Sequence, residues 1–462
     1  MKRFFYDNMS LQQMPAYLRR YFLKKINVFS WDVRDFQGVV LLESHNFDTM
    51  ELISSQEIIE RIKHGEIVVI RRCLQNIAMH DTVVAEILRA LMIVCNEGAV
   101  SYVKKHGIEK IHEVLPAKSL SKFYEETEKV IPELALNIMA RFNFFTLARR
   151  TPFYVETGPN IRMMYPYDVM SRELVSLRHL AKTIGRGKVT LHGPHQDSWF
   201  FHAFNTVNLW CAIGHVSEFN GLTFYPTMWG KQLACNEKQE IDPHYHLGRG
   251  ITFNLEPGDV LLFMADQIHA STINQTDKTR LIISMRMTFE KPDYYKNFCY
   301  YDFRRVKFFS HNHRMKAKVQ RFPHPRFFLA RSKGFKRGII PPATEIPLSK
   351  NQYLKTRSGN DPSIIVFRST DLVHNETRPL SDSICVARYD DRVMAFNRFC
   401  PHEGADLATG IIKDSTILCP WHGLRFDSTT GKSLCQSIKP LTFFKCHENG
   451  EWIEVHTQRG GV

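Results

Sequence analysis

The sequence predicts a mainly β protein, made of two β domains with helices in front of the first. Three observations carry this. Helical periodicity is confined to the first 145 residues or so. From Phe153 onward, short β-branched and aromatic runs alternate with Gly, Pro, Asn and Asp. A basic stretch containing Pro and Gly then separates two sets of such runs. The expected layout is a β-sandwich or jelly-roll domain with a helical N-terminal part over residues 1–303. A basic linker follows over 304–350, and a small all-β domain over 351–462.

The 462 residues are 44% hydrophobic and 23% charged, as in a soluble globular protein with room for a large core. No run of 18 apolar residues occurs, which argues against a transmembrane helix, and the N-terminal stretch does not read as a secretory signal. The ten cysteines are too sparse for a secreted disulfide scaffold, so a reducing cytoplasm is expected. The net charge is +14, and Arg304 to Thr344 holds twelve Lys or Arg and no acidic residue. That segment reads either as a solvated connector or as a contact for an anionic partner, such as a membrane surface at which the protein would be peripheral. No nucleic-acid-binding signature accompanies it, so no nucleic acid is expected.

The first helix is expected within residues 53–63, capped by Ser54 or Ser55, with Ile58, Ile59 and Ile62 on its apolar face. A strand, "EIVVI", comes next. Residues 80–145 read as helices broken near Gly107. The first strand set is "FYVET", "IRMMY", "KVTLH", "TVNLWCAIG", "LTFYP", "ITFNL", "DVLLFM" and "RLIISMRMTF". The second is "SIIVFRS", "SICVARYD", "RVMAFN", "TILCP", "LTFFKC" and "EWIEV".

Two motifs carry metal chemistry. In the C-terminal domain, Cys400-Pro-His402 is followed after sixteen residues by Cys419-Pro-Trp-His422. Two thiolates suit one iron and two imidazoles the other. A structural zinc site uses the same ligand types, but the Pro- and Gly-rich flanks "CPHEGADLATG" and "CPWHGLRFDSTTGK" build two opposed loops around a cluster. These flanks resemble the Rieske [2Fe-2S] family over residues 353–456. The resemblance places Cys400, His402, Cys419 and His422 as cluster ligands. Ala405 and Trp421 stand where respiratory members carry an inter-loop disulfide, and Leu424 and Phe426 where they carry hydroxyls against the cluster sulfurs. Fewer such hydrogen bonds lower the potential, which points to the ferredoxin and oxygenase branch.

In the first domain, "GPHQDSWF" supplies His195 and Asp197, which face one way in extended chain. "PGDVLLFMADQIH" ends an apolar strand on His269. Two His and one carboxylate make a facial triad with open positions on Fe(II). The pairs His244/His246 and His311/His313 have no matching third ligand and read as surface or loop residues. With Ser271, Arg280, Trp210 and Asn220-Gly221, this pattern resembles the phytanoyl-CoA dioxygenase family over roughly residues 55–290. The resemblance implies a double-stranded β-helix and 2-oxoglutarate as cosubstrate. Arg280 and Ser271 would hold its far carboxylate, and Trp210 would line its pocket. Where family members continue "NG" into a segment ending "PGSH", this chain reads "FYPTMWGK", which puts the substrate class in doubt. The carboxylate of Asp197 fills the position that related halogenases leave open, which favours hydroxylation or a related oxidation. The expected partners are O2, a small organic or lipid-like substrate, and a ferredoxin or flavin reductase. The cluster would supply or buffer electrons. The alternatives are an oxygenase driven by the cluster without 2-oxoglutarate, or a non-catalytic electron carrier or membrane-surface binder.

Overall fold

The computed structural model describes residues 28–32, 41–44, 51–52, 55–173, 191–200, 202–231, 233, 235, 239–241, 247–293, 303–311, 314–322, 353–358 and 361–458. After short strands at Val28–Asp32, Leu41–Ser44 and Glu51–Leu52, helices follow at Ser55–Lys63, His80–Val94, Glu97–His106, Leu120–Glu128 and Ile131–Arg141. Ile58, Ile59 and Ile62 are buried as their spacing requires. Gly107 breaks the helical run at a φ of 97°, in the left-handed region that glycine enters without steric cost. Asn96 caps the preceding helix by accepting from the Ala99 N–H. The Ser54 and Ser55 side chains lie outside the described residues, as does most of "KVTLH".

Two antiparallel sheets form the first domain. The larger places Arg280–Thr288 between Phe153–Glu156 and Val207–Ala212, with Asn160–Met164 also paired to it. Val260–Met264 and Val68–Ile70 continue on the Val207–Ala212 side. The smaller sheet is His269–Ser271, Leu222–Phe224 and Ile251–Thr252. Strand alternation divides the larger sheet's residues between two cores. Leu209, Cys211, Ile283 and Met285 pack outward against Phe123, Met139 and Phe142 of the helical layer. Trp210, Ala212 and Ile282 point inward and meet Leu222, Phe224 and Phe253. Arg280, Ile282, Ser284 and Arg286 share this inner face by the same alternation.

Residues 304–322 depart from expectation. Their charge reads as a basic linker, yet Phe303–His311 and Arg314–Phe322 form a hairpin at the larger sheet's edge. Phe303 to Val306 pair with Phe153 to Glu156, and Arg314 to Lys318 pair with Val28–Asp32. Val306 and Ala317 are fully buried, so small apolar residues between the basic ones anchor the hairpin. Residues 323–352 lie outside the described residues, as do His244, His246, His313 and the His311 side chain.

Residues 353–458 form a second all-β unit. One four-stranded sheet runs Thr356–Ser358, Ile364–Arg368, Trp452–His456, Cys446–Asn449. Another runs Thr377–Pro379, Ile384–Tyr389, Arg392–Asn397, Phe443–Phe444, and a three-stranded sheet runs Ile411–Lys413, Thr416–Leu418, Arg425–Asp427. The two units share a core: Ile273 of the first is fully buried among Cys400, Leu407, Trp421 and Leu424 of the second. Among the described residues no helix is long and apolar enough to cross a membrane.

Candidate metal centres

The first centre sits where the two sheets meet. His195 and His269 form an antiparallel bridge: the His195 N–H donates to the His269 carbonyl at 2.9 Å, and the return bond is 3.0 Å. Their rings lie side by side with centroids 4.4 Å apart. Asp197 opens a short 3-10 turn, and its N–H donates to the Ala265 carbonyl at 2.8 Å. All three side chains are buried. His195 Nδ1 lies 2.7 Å from the Gly193 carbonyl oxygen, and His269 Nδ1 lies 2.9 Å from that of Gln267. A carbonyl only accepts, so each Nδ1 carries the proton and each Nε2 presents a lone pair. Those two nitrogens face Asp197 Oδ1 at 3.6 and 4.0 Å. The three ligand atoms fall within 4.8 Å of one another. This donor set fits a divalent metal with open positions, and carbonyl acceptors behind each imidazole are what metal-binding histidines ordinarily have.

The other carboxylate oxygen is committed. Arg286 donates to Asp197 Oδ2 from Nε at 3.1 Å and Nη2 at 3.0 Å. Glu156 lies 3.9 Å from Arg286 and is hydrogen-bonded to His202 Nδ1 at 2.8 Å. Burial pushes the Asp197 carboxyl up. The Arg286 charge overrides it and holds the group well below the usual carboxylate range. Burial, then the neighbouring His195, push His269 down to about 3, so it is a neutral ligand.

A second group of side chains is built to receive an anion. Arg280 is fully buried. Its Nη1 donates to the Asn220 and Gly221 carbonyls at 2.9 and 2.8 Å, while Nε and Nη2 have no partner among the described residues. Burial, then the nearby Arg162 guanidinium, push Arg280 well below the ordinary arginine range. The Trp210 ring lies 5.6 Å from the guanidinium, and among the described residues its Nε1 is also buried without a partner. Ser271 pairs with Leu222 across the smaller sheet, and its neighbour Thr272 donates from its N–H to the Gly221 carbonyl at 3.0 Å. Gly221 has to be glycine, because a Cβ there would lie 2.9 Å from the Ser217 carbonyl oxygen. Buried, unsatisfied cationic donors are costly until an anion meets them, so these residues fit a carboxylate-bearing cosubstrate.

The second centre is formed by two loops of the C-terminal unit. The first, 400–405, closes on itself by Cys400 N–H to the Ala405 carbonyl at 2.9 Å. A buried Arg398–Asp406 pair, with contacts of 3.0 and 2.6 Å, pins its base. The second is the hairpin tip between Thr416–Leu418 and Arg425–Asp427, closed by Cys419 N–H to the Leu424 carbonyl at 2.8 Å. Cys400 and Cys419 are buried and bonded thiol to sulfur, which pushes Cys400 up; burial pushes Cys419 up, but the bond from Cys400 holds it below its ordinary value. The His402 and His422 ring centroids are 5.1 Å apart, and His402 Nδ1 is buried with no partner. Burial lowers His402 to about 4. Two soft sulfurs and two imidazoles from opposed loops suit an iron–sulfur cluster.

Residues 362–443 match the Rieske [2Fe-2S] domain, and residues 166–282 match phytanoyl-CoA dioxygenase (PhyH). A segment matching the PhyH family model thus precedes one matching the Rieske domain model in the same chain. Two vanillate O-demethylase oxygenase subunits of Pseudomonas sp. are similar to it. That of strain HR199 / DSM 7063 is 33% identical over 75 residues, covering 15% of this chain and 21% of the relative. That of strain ATCC 19151 is 38% identical over 55 residues, covering 12% and 16%. The chain thus spans about a fifth of the first relative's length. Among solved structures, a complex of reduced oxygenase and oxidised ferredoxin in carbazole 1,9a-dioxygenase matches at 23% identity, TM-score 0.19, over 21% of this chain and 93% of that one. The epimerase SnoN in complex with Fe3+, alpha ketoglutarate and nogalamycin RO matches at 13% identity, TM-score 0.29, over 51% and 83%.

The residues singled out in the sequence for the first centre and its anion pocket are buried in the first domain, and Cys400, His402, Cys419 and His422 lie on the two loops of the second. Sequence reasoning missed Arg286, six positions beyond Arg280 on the same strand face, a spacing that alternation alone could have flagged. It also missed His192, whose ring centroid lies 5.4 Å from that of His195 and whose carbonyl accepts from the Ser271 N–H. The departing segment after Gly221 packs Trp229 over Gly65. Beyond it, residues 232, 234, 236–238 and 242–246 lie outside the described residues.

Proposed function

We propose that the barrel is an Fe(II)- and 2-oxoglutarate-dependent oxygenase of a small organic or lipid-like substrate, and that the Rieske centre keeps its iron reduced. His195 Nε2, Asp197 Oδ1 and His269 Nε2 would hold the iron, which when bound supplies O2 activation at its open positions. Arg286 keeps Asp197 ionised and occupies its outer oxygen, so the carboxylate binds through one oxygen and leaves room for cosubstrate and O2. Arg280 and Ser271 hold the far carboxylate of 2-oxoglutarate, and Trp210 walls the same pocket. Cys400, His402, Cys419 and His422 hold the [2Fe-2S] cluster. 2-Oxoglutarate supplies two electrons and the substrate two, so the cluster is surplus to turnover. Its use is to return iron to Fe(II) after uncoupled cycles, with a ferredoxin or flavin reductase refilling it.

The observation that carries the reading is the convergence of two lone-pair nitrogens and one uncommitted carboxylate oxygen within 4.8 Å. The test is succinate formation by the full chain with Fe(II), 2-oxoglutarate and O2, compared with Arg280→Ala. Succinate lost in the variant supports it. Product made from a reductant and O2 without 2-oxoglutarate would replace it by cluster-driven oxygenation. A cut at residue 303 is unsuited to this test, because it removes a hairpin that belongs to the larger sheet.

A further inference from the structure

Both iron-site histidines of the barrel lie on segments that lean on one loop of the Rieske unit. On one side, the chain runs from His269 through Ser271 to Ile273, whose N–H donates to the His422 carbonyl at 2.6 Å. Four residues of extended chain span roughly 13 Å, so this is a short and almost wholly covalent connection. Gln275 clamps the same contact. Its Nε2 donates to the Gly423 carbonyl at 2.8 Å, and its Oε1 accepts from the Arg425 N–H at 2.8 Å. On the other side, His195 Nδ1 donates to the Gly193 carbonyl at 2.7 Å. Gly193 is so close to Trp421 that a Cβ there would lie 3.3 Å from the indole. Trp421 immediately precedes His422. A third contact sets the Tyr167 ring edge-on to His402, with centroids 5.6 Å apart.

The interface has an apolar centre with a polar rim. Ile273, Trp421 and Leu424 are buried together in one core. Polar pairs rim it: Arg425 to Glu218 at 2.5 Å, and Ser437 to Asp168 at 2.8 Å. An arrangement in which the cluster served only a second copy of the chain would not need both imidazole-bearing segments to meet the His422 loop of their own chain.

We infer that electrons pass between the two metal centres within one chain, through the junction of the Cys419–Gly423 loop with Ile273 and Gly193. The inference rests on the two-metal reading above. One electron leaves the reduced cluster, whose Fe(II)/Fe(III) pair becomes Fe(III)/Fe(III), and the barrel iron goes from Fe(III) to Fe(II). A flavin-dependent reductase or a ferredoxin restores the cluster electron. Ile273, Gln275 and Trp421 are positioning residues for this transfer, since none of them supplies a ligand atom to either metal.

The test has two arms on the full-length protein. In the metal-free protein, amide hydrogen exchange reads the junction alone. Slow exchange at Ile273, lost in Gln275→Ala, supports it, and fast exchange in the wild type overturns it. In protein with both metals, iron and sulfide analysis and EPR of each centre test the two-metal reading separately. The barrel iron is then oxidised and one electron per chain is delivered anaerobically by a photoreduced deazaflavin. Freeze-quench EPR should show the electron move from cluster to barrel at a rate independent of protein concentration. The Trp421→Ala variant should lose that fast phase, with its cluster midpoint potential measured to separate a change in driving force. A rate proportional to concentration would overturn the inference. So would restored transfer on mixing a Cys400→Ser/Cys419→Ser chain with a His195→Ala/His269→Ala chain.

Discussion

Replacing Arg280 by Met removes a charge while keeping an unbranched side chain of similar reach. In the present arrangement Nη1 is spent on the Asn220 and Gly221 carbonyls, and two donors, Nε and Nη2, are buried and unpartnered. If they meet the far carboxylate of 2-oxoglutarate, two charge-assisted hydrogen bonds are lost on substitution, each worth about 1.5–3 kcal/mol. Allowing for non-additivity, a loss of about 3–4 kcal/mol corresponds to a rise of roughly 200- to 1,000-fold in KM for 2-oxoglutarate. The carboxylate end does not react, so kcat should fall much less. Stability should behave oppositely to a structural arginine. A buried cation without an anion costs the cosubstrate-free protein stability, so its removal offsets the loss of the two hydrogen bonds to Asn220 and Gly221. The metal-loaded variant should therefore melt within a few degrees of wild type. Its melting temperature should no longer rise with 2-oxoglutarate, whereas a hundredfold excess over Kd stabilises the wild type by about 2.7 kcal/mol. The assays are succinate formation against 2-oxoglutarate concentration and anaerobic thermal melts. A wild-type KM, or an undiminished melting shift, would show that Arg280 is not the carboxylate site.

Three further outcomes are expected. Arg286→Met strips both N–H donors from Asp197 Oδ2, so the Asp197 carboxyl protonates at a higher pH. Fe(II) affinity should fall about 10- to 100-fold, and the acid limb of metal loading should move upward in pH, read by chelator competition across a pH series. Gly221→Ala places a Cβ 2.9 Å from the Ser217 carbonyl oxygen and should cost about 1–3 kcal/mol by denaturant unfolding. Leu424 and Phe426, fully buried beside the cluster loops, bring no hydroxyl to its sulfurs. A redox titration should place the midpoint in the lower part of the roughly −150 to +300 mV Rieske range, and a value near the top would refute that argument.

The parts of this molecule legible in the sequence are those with a side-chain signature. The strands from Phe153 to Thr288 follow alternation and turn residues, and Rieske ligand spacing survives because loop geometry fixes it. The hairpin at 303–322 is hidden by its charge: Arg304, Lys307, Lys316 and Lys318 suggest solvent, yet Val306 and Ala317 decide which face turns inward. Arg286 is hidden by distance in sequence, since its partner Asp197 lies 89 residues away. The junction between the metal sites is hidden for a deeper reason. Its central contact runs from a backbone N–H at Ile273 to a backbone carbonyl at His422, groups that nearly every residue possesses. Only the packing around it is encoded in side chains, by Trp421, at the position that the Rieske resemblance matches to a disulfide cysteine of respiratory members, and by Gly193, whose missing Cβ lets the indole approach. Within its own domain each residue has an ordinary reading, a bulky aromatic in one and a small loop residue in the other. Their joint meaning exists only once the two domains touch. That also explains how two candidate metal sites can share one chain: the residues that bring them together lie outside either proposed ligand set.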